Sequence, residues 1–109
     1  MLGMAYHLNE KPFRAVAALA TAVADQPESP RVHNQLAVVL QAMGWYDGAE
    51  KSLLQAIALD PDYRDAHLNL ALIYINRDEP SLDLANKHYE KAVELGITPD
   101  KSIEKQLKR

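Results

Sequence analysis

Four histidines are the first residues in this 109-residue chain that could do chemistry, and two of them, His33 and His67, stand 34 positions apart. A metal ion needs donors about 2 Å from one centre, whereas equivalent residues on neighbouring helices start about 8–10 Å apart at their axes. His33 and His67 therefore read as partly buried side chains in aromatic positions. His7 and His88 fall on other faces of other helices and complete no site, so no metal is expected. The absence of cysteine removes thiolate nucleophiles, thiolate metal sites and disulfides together. No Ser/His/Asp triad, paired glutamates or glycine-rich phosphate loop stands out either. Gly44 and Gly48 flank Trp45-Tyr46-Asp47 and serve the backbone of a turn. Neither catalysis nor a cofactor is expected.

Composition narrows the class further. The chain is long enough for one domain. Its 48% apolar and 25% charged residues are those of a globular protein, and alanine and leucine outweigh β-branched and aromatic types, which favours helix. A net charge of -3 argues against nucleic acid, whose phosphates call for a basic stripe. Lys101, Lys105, Lys108 and Arg109 are interleaved with Glu104, the pattern of a solvated helix end. Met1 to Glu10 has no basic leader followed by an apolar run, and nowhere do about 18 apolar residues follow one another, so neither an export signal nor a membrane insertion is expected. Cytoplasm and periplasm both fit this composition.

The elements that would position any functional residue follow from an internal repeat. Leu2, Leu36 and Leu70 are 34 apart, each followed by a small residue (Gly3, Ala37, Ala71) and, four positions after the leucine, by a large one (Tyr6, Leu40, Tyr74). A second set keeps the same phase: Ala15, Leu19 and Ala22; Ala49, Leu53 and Ala56; Ala85, Tyr89 and Ala92. Pro27 and Pro61 close the first two units. Small residues let antiparallel helices approach, the large residue fills the gap beside the crossing, and proline stops the second helix.

Caps and breakers predict helices over residues 1–7, 12–25, 30–43, 47–59, 65–76 and 82–95, with Ser29 and Ser81 as caps and Gly44 and Gly96 as stops. Thr98-Pro99 is expected to open a last short helix bearing Ile103 and Leu107. Unit one carries only the end of its first helix. In unit three Tyr74 and Ala85 are 11 positions apart where the other units have 9, which makes Arg77-Asp78-Glu79-Pro80 a longer turn.

This pattern of leucine, small residue and aromatic, then alanine, aromatic and proline, resembles the tetratricopeptide repeat family over nearly the whole chain. The resemblance implies an all-α right-handed superhelix: a partial repeat over 1–29, repeats over 30–63 and 64–97, and a capping helix over 98–109. It also implies a scaffold that binds a protein or peptide in the concave groove lined by the first helices of successive units. By phase, the groove residues are Met4, His7 and Leu8, then Asn34, Val38 and Gln41, then Leu68, Asn69, Leu72 and Ile75. The stripe of Leu68, Leu72 and Ile75 is either covered in part by the C-terminal helix or displayed to a peptide. Asn34, Gln41 and Asn69 would offer hydrogen bonds to a ligand backbone, and Trp45 reads as turn packing more than as a binding centre.

In the family subgroup that grips acidic chaperone tails, asparagine and a basic residue stand where this chain has Val38 and Asp65, so such a tail is not the expected ligand. The alternative role is a structural segment of a longer repeat protein, associating through its ends. The helix around Ala15 to Ala24 is apolar on nearly every side, and a second copy packed there would make a homodimer through the N-terminal edge.

Overall fold

The computed structural model describes residues 2–108, with side-chain surroundings from residue 13 onward. Six helices follow one another: α1 (Leu2–Asp25), α2 (Pro30–Ala42), α3 (Tyr46–Leu59), α4 (Arg64–Asn76), α5 (Leu82–Glu94) and α6 (Lys101–Leu107). The helices pair as hairpins α2/α3 and α4/α5; α1 packs on α2, α3 on α4 and α6 on α5.

Helix ends show how local chemistry sets this order. Ser29 caps α2 by accepting the Val32 N–H at 3.3 Å, and Pro30 follows it where a missing donor costs nothing. Gly44, at φ +81°, ends α2: its N–H reaches Gln41 O at 3.0 Å while the Trp45 N–H reaches Leu40 O at 2.9 Å. Gly96, at φ +116°, ends α5 through the same two bonds, Gly96 N to Val93 O and Ile97 N to Ala92 O, both 3.0 Å. Both are left-handed glycine stops that satisfy carbonyls the helix leaves open.

Two boundaries differ from expectation. The break between residues 7 and 12 does not form, and α1 runs unbroken through Pro12. Leu8-Asn9-Glu10-Lys11 contains no glycine to turn the chain, and one proline removes a single backbone donor, so continuing the helix keeps more hydrogen bonds than a turn would. The last helix begins after Asp100 and not at Thr98-Pro99. The Asp100 Oδ1 accepts from Ser102 N at 2.8 Å and Ile103 N at 3.2 Å, which makes Asp100 the cap.

Alanines occupy the crossings. Ala37, Ala49, Ala56, Ala66, Ala71, Ala85 and Ala92 are fully buried, with Leu53, Leu70 and Ile73 filling the space between them. The phase predicted from the repeat is the phase of the core. Ala56→Leu would force three extra heavy atoms into a closed crossing, and we expect a loss of about 1–3 kcal/mol in denaturant unfolding. A variant as stable as the parent would contradict this packing. No described helix is long and apolar enough to cross a membrane.

Candidate peptide-binding groove

The first helices of the two full units lie side by side and are joined by one amide pair. Asn69 Nδ2 donates to Asn34 Oδ1 at 3.0 Å. This bond sets the register of the face: Val38 lies one turn beyond Asn34 on α2, and Leu72 and Ile75 lie one and two turns beyond Asn69 on α4. Val38 is 45% exposed, a large fraction for a branched apolar side chain. Gln41, Leu68, Asn69, Leu72 and Ile75 are half-buried, with Leu68 and Ile75 leaning on the core and Asn34 almost covered. Met4, His7 and Leu8, the other expected groove residues, lie outside the residues whose side chains are described. The face is thus apolar, with an amide pair at one end that still has a donor on Asn34 and an acceptor on Asn69.

The capping helix seats itself on α5. Leu107 enters the core, Ile103 packs beside it, and Tyr89 fastens the approach: its hydroxyl donates to Glu104 Oε2 and accepts the Asp100 N–H, each at 2.9 Å. Burial pushes the Tyr89 phenol above its usual range, and the Glu104 carboxylate beside it adds to the shift.

The equivalent histidines fasten the turns between units. His33 Nε2 donates to Pro27 O at 2.9 Å and His67 Nε2 to Pro61 O at 2.7 Å, each six residues back. The Pro-x5-His spacing occurs twice in the sequence and was the available signal for this role. His88 also proves to be less isolated than its position suggested, because its Nδ1 sits 3.0 Å from His67 Nδ1. A carbonyl accepts only, so His67 carries its proton on Nε2; its Nδ1 then accepts, and His88 donates from Nδ1.

These rings belong to a column between α4 and α5. Arg77 lies 4.8 Å over the Tyr74 ring, Tyr74 stacks on His88 at 5.9 Å and His88 on His67 at 5.2 Å. The Tyr74 hydroxyl donates to Glu50 Oε2 at 2.6 Å, tying α4 to the preceding unit. Burial and that hydrogen bond push the Tyr74 phenol up to about 12. Burial also pushes the His88 imidazole down to about 4, helped by His67 and Lys87. The column joins α4 to α5 through His67, Tyr74 and His88. Among the described residues no group of three or more His, Cys, Asp or Glu side chains is placed to hold a metal ion.

Helical hairpins stacked through alanine crossings define an all-helical repeat fold. Residues 42–76 match the model of the TPR repeat. Among solved structures, the chain is similar to the first TPR of Spaghetti (RPAP3) bound to the HSP90 peptide SRMEEVD, with 20% identity over 98% of this chain and 88% of that one and a TM-score of 0.80. The Sgt2 TPR domain from Aspergillus fumigatus shows 22% identity over 97% of this chain and 70% of that one, with a TM-score of 0.77. MamA of AMB-1 is 30% identical over 86% of this chain and has a TM-score of 0.70; the chain spans about half of MamA, covering 54% of its length. The chain thus carries a match to the TPR repeat over residues 42–76 and has a TPR-like, all-helical fold.

Proposed function

We propose that this protein is a binding scaffold that holds an apolar segment of another protein against the α2/α4 face. The observation that carries the reading is Val38, 45% exposed on a helix whose other face is closed core, with the half-buried Leu72 on the facing helix and the Asn34–Asn69 pair beside them. An apolar strip with amide groups at its edge suits a peptide that buries alternate side chains and bonds its backbone to the amides.

Similar domains, such as the first and second TPRs of Spaghetti (RPAP3), are bound to an HSP90 peptide in their own structures. The acidic tail of that peptide is poorly matched here, because Asp65 is exposed at the start of α4 and Val38 offers a carboxylate no hydrogen bond. Self-association through α1 is the weaker reading. Val16 turns inward against the core and leaves Ala17, Ala18, Ala20, Thr21 and Ala24 on the outer face, where alanine buries little area per residue.

A peptide library displayed against the protein tests the groove. Selected sequences should be rich in large apolar residues, and Val38→Glu should weaken the best of them about tenfold, close to 1.4 kcal/mol, without moving the melting curve. Binders indifferent to both Val38→Glu and Leu72→Gln would reject it.

A further inference from the structure

One concavity among the described residues lies outside the α2/α4 face. It lies at the turn edge of the solenoid, a cleft of about 800 Å³ between the α2–α3 turn and the longer α4–α5 turn made by Arg77-Asp78-Glu79-Pro80. None of its lining residues belongs to the groove.

Its chemistry has one sign. Asp47, Asp78 and Glu79 line the cleft, are exposed, and make no ion pair among the described residues. The lining cation, Arg77, is engaged: Nε donates to Glu79 O at 3.1 Å, Nη2 donates to Ser81 Oγ at 2.5 Å, Nη1 lies 3.8 Å from the Glu50 carboxylate, and the guanidinium covers Tyr74. Helix dipoles do not offset the carboxylates, because each turn joins a helix C-terminus to a helix N-terminus and the opposite partial charges meet there. Trp45 supplies the apolar wall. It is 49% exposed, yet its ring is braced edge-on by Phe13 at a centroid distance of 6.0 Å.

A pre-set indole face beside three carboxylates that make no ion pair among the described residues is complementary to one kind of side chain, a long cation with an apolar stem. We infer that this cleft is a second docking site, for a basic segment of a partner protein, with an arginine or lysine laid across Trp45 and its charge among Asp47, Asp78 and Glu79. A volume of this size takes that side chain together with its neighbours in the peptide.

Trp45 is the sole tryptophan of the chain and reports on the cleft directly. The probe is a capped hexapeptide of alternating arginine and leucine, titrated into the full chain and followed by tryptophan fluorescence. A saturable change is expected, weakened by salt and at least about tenfold weaker with the Asp78→Asn/Glu79→Gln double variant, whose exposed positions leave the melting curve in place. The same peptide with glutamine for arginine should give no change. Asp25→Asn/Glu28→Gln alters net charge equally on the exposed far side and should leave the affinity within about twofold. The inference is overturned by no saturable change, by an equal response to the glutamine peptide, or by equal weakening in the far-side variant. A fluorescence change that grows with protein concentration alone would give the cleft to a second copy and overturn it as well.

Discussion

Removing residues 100–109 is expected to lower the melting temperature by roughly 10–20 °C, because a small domain shifts by about 4–8 °C for each kcal/mol lost. Leu107 is 8% exposed and is part of the core, so its removal alone forfeits about 1.5–3 kcal/mol. Ile103 adds a smaller share, and the Tyr89 hydroxyl loses both its acceptor on Glu104 and its donor on Asp100. Such a loss is a large part of the 5–15 kcal/mol or so that holds a domain together. Tyr89→Phe separates the contributions: it keeps the ring in the core but leaves the Asp100 N–H without its acceptor, and should cost about 1–2 kcal/mol. Thermal unfolding followed by circular dichroism checks both variants, and an unchanged curve for the truncated chain would refute the seating of α6 on α5.

Acid should loosen unit three before the carboxylates titrate. The folded His88 imidazole sits at about 4, below its ordinary 6.5, so between these values the unfolded chain binds more protons than the folded one. Stability therefore falls as the pH drops from about 6.5 towards 4 and levels off below, where both states are protonated. The total loss is on the order of 1–3 kcal/mol once solvent screening of the partly buried ring is allowed for.

With His67 Nε2 committed to Pro61 O, the Nδ1–Nδ1 contact of 3.0 Å holds one hydrogen, which His88 supplies. Lys87 on the same helix and Arg77 at the end of the column add positive charge, while Glu50 beside Tyr74 is the nearest compensation. Denaturant unfolding at a series of pH values reads this out. The parent should lose stability across pH 6.5 to 4.5, and His88→Phe, which keeps a ring in the stack, should be flat over that window though less stable at pH 7. A parent that is itself flat there would refute the proton accounting.

Much of this architecture could be read from spacing alone. Helix packing depends on residue size at a crossing, and Ala49, Ala56 and Ala85 recur where a crossing must be, so the phase of the repeat carries directly into the buried alanines of the fold. Glycine stops are equally local: Gly44 and Gly96 act through their own backbone conformation, which needs no distant partner. Candidate groove positions on α2 and α4 were assigned from the same phase, on the argument that a period of 3.6 residues which gives one face to the core gives the other to the surface.

Other features depended on what meets what in space. The continuous α1 reflects a balance between a turn and a helix that no single residue between His7 and Pro12 decides. His33 and His67 read as partly buried and prove to be buried, and their Nε2–H bonds to Pro27 O and Pro61 O follow from the direction in which each inter-unit turn presents a carbonyl. The approach of His88 to His67 follows from the α4/α5 crossing. Trp45 likewise packs on Phe13 as a turn residue would, yet it also lines the cleft between its own turn and the longer α4–α5 turn. Residue size and backbone preference act within one helix or one turn, and those the amino-acid order determines; directional hydrogen bonds and the walls of a cleft join segments distant in the chain, and those are decided when the helices pack.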